Sequence, residues 1–176
     1  MSGARNTSPE ELQGWFAGRL PTDWFVGPSE VTADREEILV VGTLADPEMQ
    51  GDSAPAAVAA ARAARIDGFR EDTRERRMGI AQEAQHRFGR RVSWGVRCGD
   101  VFKPFTTVSA PAMTRLRMAE RRVLDTLVDA GVARSRSHAL AWCVRLVAEK
   151  QEEWLQDLRS ALTHVEKVRE EGPTPS

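Results

Sequence analysis

The chain has 176 residues, 41% of them hydrophobic, which suits one generous globular domain or two small ones and excludes a disordered polymer. No stretch approaches the roughly 18 apolar residues needed to span a bilayer, and Met1 to Thr7 carry no apolar leader core, so membrane anchor and signal peptide are expected to be absent. The formal net charge of −1 conceals opposed blocks, because residues 1–61 hold 3 Arg against 10 Asp and Glu, residues 62–148 hold 18 Lys and Arg against 9, and residues 149–176 hold 4 against 7.

Cys98 and Cys143 lie far apart without a CxxC pair, which points to thiols in a reducing, cytoplasmic compartment. Arg outnumbers Lys by 22 to 3. That ratio suits forked recognition of phosphate or guanine, and equally a codon bias.

In chain order, Ser8-Pro9-Glu10-Glu11 opens a short helix to about Ala17, with Ser8 as N-cap, Pro9 at the first helical position and Glu11 placed to close a capping box. Extended runs near Trp24-Phe25 and at Glu30 to Thr32, then Ile38 to Leu44 after an Ala33 to Glu36 turn, predict an antiparallel hairpin. Asp46 to Ser53 reads as a loop with a mobile character. From Ala54 onward Ile66, Phe69, Thr73, Arg77, Ile80, Ala84 and Phe88 recur at helical spacing, predicting one long helix with an interruption at Gly68. Val92 to Arg97 and Val101 to Val108 around Cys98-Gly99-Asp100 form a second hairpin, in which Pro104 requires an edge. The fold class expected is α+β. It has an N-terminal unit of two hairpins around a long helix (1–110), then a region 111–171 ending in a helical extension that carries Trp154, Leu155, Leu158, Leu162, Val165 and Val168. A disordered tail, 172–176, follows.

In the second region Thr114-Arg115-Leu116-Arg117-Met118 alternates as a strand would, setting Arg115 and Arg117 on one face. Glu120 to Ala130 places Val123, Leu124, Leu127 and Val128 on one helical stripe, Gly131 supplies a left-handed stop, and Ser135 caps a second helix striped with Ala139, Leu140, Cys143, Val144 and Val147. A second conformation fits the same residues: Ser109-Ala110-Pro111 could cap a single helix running from Ala112 to Ala130.

The order strand, helix, glycine turn, Ser-capped helix, carried by Leu124 to Leu140, resembles the ribbon-helix-helix family of Arc and MetJ type over about a fifth of the chain, residues 113–147. The resemblance implies a homodimer whose paired strands enter the major groove of double-stranded DNA. Arg115 and Arg117 would face base edges, and Arg134, Ser135, Arg136 and Ser137 would clamp phosphate at a helix start. Two departures stand out: His138 occupies a place usually acidic or polar, and the motif follows more than 100 residues of other chain.

Elsewhere, the charge-laced segment from Phe69 to Arg77 reads as a solvated helix face, or as an auxiliary nucleic-acid surface comprising Arg74, Arg77, Arg87, Arg90 and Arg91. Trp94 beside Arg97 reads as a core aromatic, or as a platform for a stacked base. His86, His138 and His164 are too scattered for a ligand set, phosphate-binding glycine loops are missing, and no metal or other cofactor is expected. Cys98 next to Arg97 is the one place where a cation could favour a thiolate.

The expectation is therefore a DNA-binding transcriptional regulator with no catalytic residues, its effector unspecified. An adaptor binding RNA, a ribosome or a polymerase through the Arg-rich helix 62–91 is the alternative, and a small enzyme using Cys98 or Glu30 a more remote one.

Overall fold

The computed structural model describes residues 7–49, 51 and 54–171, and it is α+β: six helices and one four-stranded sheet in two compact units, residues 1–111 and 112–176. The N-terminal segment before Thr7, part of the Asp46 to Ser53 loop and the tail 172–176 lie outside the described residues.

In the first unit, α1 (Pro9–Arg19) begins as the sequence dictates, with Ser8 Oγ accepting the Glu11 amide at 3.2 Å and Pro9 in the first turn. It runs two residues beyond Ala17. β1 (Glu30–Ala33) and β2 (Glu37–Thr43) pair antiparallel around a turn in which Asp34 Oδ1 accepts the amides of Glu36 and Glu37, each at 2.8 Å. Trp24 and Phe25 are not a strand but an aromatic corner.

The long helix predicted from Ala54 is two helices, α2 (Pro55–Asp72) and α3 (Arg74–Phe88), and the break falls at Thr73 and not at Gly68. Thr73 turns its hydroxyl back onto the Phe69 carbonyl (2.6 Å) and adopts φ −99, ψ 1, which bends the chain. Gly68 has open space around its missing Cβ and continues the helix. β3 (Arg91–Cys98) and β4 (Val101–Pro104) form the second hairpin about Gly99, whose φ is +57. Pro104 does lie on an edge strand, but the strand stops there and does not continue to Val108.

The two hairpins are not separate. β2 and β3 pair in parallel, Glu37 opposite Arg91 through Thr43 opposite Arg97, giving the order β1-β2-β3-β4 with α2 and α3 as the crossover. One sheet face carries Ile38, Val40 and Trp94, which pack with Leu12 and Phe16 of α1 and Ile80, Ala84 and Phe88 of α3. A second cluster joins Leu44, Ile66, Val96 and Cys98, with Phe25, Phe69 and Phe105 against it. Gly42 is required there, because a Cβ would lie 2.2 Å from the Phe25 ring.

The regular elements of the second unit among the described residues are all helices: α4 (Met118–Asp129), α5 (Arg136–Lys150) and α6 (Glu152–Glu171). Its buried residues there are Leu124, Ala133 and Ala139, with Leu116, Leu127, Val128, Leu140 and Cys143 partly buried around them.

Candidate nucleic-acid interface

The continuous helix read from Ala112 needs correction, and the strand at 114–118, read as pairing between two chains, is not formed in one. Residues 111–117 are irregular, so within one chain neither a strand at 114–118 nor a helix from Ala112 forms, and α4 starts at Met118. The physical reason is partnerlessness on one side and a cap on the other. A lone strand has no ladder to satisfy its amides, and at Arg117 the backbone is extended (φ −78, ψ 172) with its N–H donated to Glu120 Oε2 at 2.5 Å, a cap that fixes where the helix begins. Arg121 adds a hydrogen bond from its guanidinium to the Leu116 carbonyl (2.6 Å). Arg115 and Arg117 are exposed.

After α4 the chain reverses through Gly131 (φ +74), and the amides of Val132 and Ala133 both donate to the Leu127 carbonyl at 3.0 Å. Ala133 is buried, which seats the turn on Leu124. Ser135 then caps α5, its hydroxyl accepting the His138 amide at 3.2 Å. His138 itself accepts the Arg134 amide through Nδ1 (3.2 Å), so the ring serves as the acceptor that a capping-box carboxylate would provide, one residue earlier in the chain. With those two donors satisfied, the amides of Arg136 and Ser137 occupy the first helical positions, where no intrahelical carbonyl can reach them.

The four residues of the expected phosphate clamp thus share one exposed helix start, but Arg136 is already engaged. Its Nε and Nη2 hold both oxygens of Asp125 on α4, at 2.6 and 2.7 Å, and the guanidinium keeps the Asp125 carboxyl below its ordinary range. Both partners are largely solvent-exposed, so the pair adds little to stability and a phosphate can compete for the guanidinium. Arg115, Arg121, Arg136 and Ser137 line an open groove of about 540 Å³ whose apolar wall includes Met113, Leu116, Leu124 and Leu140.

The auxiliary arginines do not form one surface. Arg77 is buried, donating to Thr73 Oγ1 (2.9 Å) and the Arg70 carbonyl (2.6 Å), with its guanidinium 4.8 Å from the Phe105 ring centre, and this withdraws it from any phosphate-contacting role. Its place on the apolar stripe with Ile80 and Ala84 was the signal for that burial. Arg87 lies 3.6 Å from Glu11, and Arg90 donates to the Asp34 carbonyl at 3.0 Å. Arg74 and Arg91 are exposed.

Trp94 is a core residue, edge-on to Phe16 and Trp24, and is no stacking platform. An exposed aromatic lies on the same hairpin: Phe102, paired in register with Arg97, reaches over Gly95, with the Arg97 guanidinium 5.4 Å from its ring centre. A glycine inside the run Val92 to Arg97 was the sequence signal for such a close approach.

Cys98 is fully buried, and burial together with nearby Asp46 pushes its thiol up, the reverse of the activated thiolate considered from its neighbour Arg97. Arg97 instead pairs with Glu30 at 2.9 Å. Sequence reasoning missed Arg62, whose guanidinium bridges Asp46 (2.6 Å) and Asp100 (2.5 Å) in the space a Cβ on Gly99 would fill. Among the described residues no cluster of His, Cys, Asp and Glu could hold a metal, and no helix is long and apolar enough to cross a membrane.

An α+β unit followed by an all-helical unit with a basic helix start is thus the class that fold and site define. Residues 10–103 match the family described as Rv1265-like protein, N-terminal domain, and residues 117–169 match the Mb1296 C-terminal domain. The chain belongs to this Rv1265-like family. It is similar to the uncharacterized proteins Mb1296 of Mycobacterium bovis and Rv1265 of Mycobacterium tuberculosis, each 56% identical over 160 residues that cover 90% of this chain and 69% of the relative. No solved structure matches the chain.

Proposed function

We propose that the chain is a dimeric, cytoplasmic, sequence-specific DNA-binding protein, a transcriptional regulator of ribbon-helix-helix kind without catalytic activity. The observation that carries this reading is the Ser135-capped start of α5, bracketed by Arg134 and Arg136 and preceded in the chain by the exposed Arg115 and Arg117. Free amides at a helix start and flanking guanidinium groups suit a phosphate. In a dimer, residues 114–118 gain the ladder partner a single chain lacks, and their alternation then sets Arg115 and Arg117 toward base edges.

The test is selection of duplexes from a random pool, followed by anisotropy titration across a salt series. Binding should weaken steeply with salt, with a log–log slope of about −0.9 for each phosphate contacted. Arg115→Ala with Arg117→Ala should erase the preference for selected over random duplex, while Arg134→Ala should weaken both alike. No enrichment from the pool, together with no binding at low salt, overturns the reading.

The adaptor reading draws on a separate observation, Phe102 exposed over Gly95 with Arg97 against it, an aromatic and a cation suited to a stacked single-stranded base. Phe102→Ala would then weaken single-stranded RNA binding and leave duplex binding unchanged.

A further inference from the structure

The helix α6 carries an apolar face that its own chain leaves largely uncovered. Trp154, Leu158, Leu162, Val165 and Val168 are all exposed, with Leu162 at 61%, and α6 packs chiefly on the end of α5. Set on a heptad, Leu155 and Leu162 take one core position and Leu158 and Val165 the other, flanked by Trp154, Ala161 and Val168. Apolar residues held in water are disfavoured relative to burial, and a contiguous stripe of this kind marks an interaction surface.

The geometry points to a second copy of this chain as the occupant, with the two α6 helices antiparallel. Antiparallel pairing is self-complementary. Leu155 of one copy meets Val165 of the other and Leu158 meets Leu162, each contact occurring twice about a two-fold axis, with Gln151 and Arg169 at the polar ends. Charge selects the same direction. Arg159 and Glu166 lie seven residues apart on one flank of the stripe, so antiparallel helices set Arg159 of each copy alongside Glu166 of the other. A parallel pair would place Trp154 against Arg159 and Ala161 against Glu166, leaving both charges without a counter-ion. The buried core of the unit, Leu124, Ala133 and Ala139, is too small to hold three helices unaided, and a second copy enlarges it. This seam lies outside the ribbon and does not rest on DNA binding.

The test is sedimentation of the full chain without nucleic acid. The wild type should be a dimer, and Leu158→Glu with Leu162→Glu should raise the dissociation constant by well over about tenfold. Because those changes could also unravel the helix, Arg159→Glu is compared with Arg159→Glu plus Glu166→Arg: the single change should weaken the dimer and the exchange should restore it. Direction is read from cysteines introduced one at a time in a Cys143→Ser background, where the remaining Cys98 is buried. Ala161→Cys, near the two-fold axis, should cross-link two copies under oxidation, and Trp154→Cys should not. A monomeric wild type, a dimer indifferent to both leucine and charge variants, or cross-linking through Trp154→Cys would each overturn the antiparallel seam. Duplex binding that persists while the seam fails, or is lost while it holds, separates this inference from the DNA-binding reading.

Discussion

The two units spend apolar residues differently. In residues 1–111 the large side chains Phe16, Ile38, Ile66 and Ile80 are wholly buried between sheet and helices, whereas in residues 112–176 Val123, Val144, Trp154, Leu158 and Leu162 face solvent. The first unit closes its own core, so its stability should be a property of one chain. The second leaves an apolar surface that a partner can bury, so its stability should depend on concentration. Variants that lower the melting temperature equally at all concentrations therefore belong to the first unit, and those whose effect shrinks as protein is added belong to the second.

The largest effect expected is Ile80→Ala, which opens a cavity against Phe16 and Trp94 and should cost about 2–5 kcal/mol in denaturant unfolding, independent of protein concentration. Arg77→Ala comes next. It removes the hydrogen bonds that fasten the Thr73 break and should cost about 1–3 kcal/mol, with no change in the salt dependence of DNA binding. A salt slope that fell in this variant would return Arg77 to the surface. Asp125→Asn sharpens the comparison from the other side: it frees Arg136 from its ion pair, barely alters unfolding, and should steepen the salt slope of duplex binding by up to about 0.9.

The smallest effect is in acid. Arg62 holds the Asp46 carboxyl below its ordinary value and Arg19 does the same for Glu83. A carboxyl depressed in the folded state contributes stability that is complete above its ordinary value, 3.8 for Asp46, and is lost as the pH falls through the lower folded-state value. Thermal melts should therefore show the first unit weakening below about pH 4, and Arg62→Met should flatten part of that dependence.

What could be read from sequence was mainly local. Ser8-Pro9, the Cys98-Gly99-Asp100 turn, Gly131 and Ser135 act within four residues of themselves, and the structure uses each where the sequence placed it. The parallel pairing of β2 with β3 was not legible, since nothing in either strand names a partner beyond two intervening helices. Thr73 lost to Gly68 as the expected break because a glycine is a weak helix former on propensity, while the threonine acts through a side-chain bond to Phe69 that propensity does not register. At the candidate interface, Arg134 to Ser137 were read as one helix start, but the Asp125 grip on Arg136 required knowing that α4 and α5 pack side by side. The segment 114–118 resisted because its state depends on whether a second chain supplies hydrogen bonds.

The central strand pair also governs how the first unit can be made. Glu37 to Thr43 cannot find Arg91 to Arg97 until the whole of α2 and α3 has been synthesised, so during translation the β1–β2 hairpin waits with the inner edge of β2 unpaired. Pairing across so long a stretch is entropically slow, and an open strand edge invites association with other nascent chains. Refolding of this unit should therefore be slower than that of a helical bundle of similar size, and the interval before β3 emerges is when the chain is most exposed to aggregation or to capture by a chaperone.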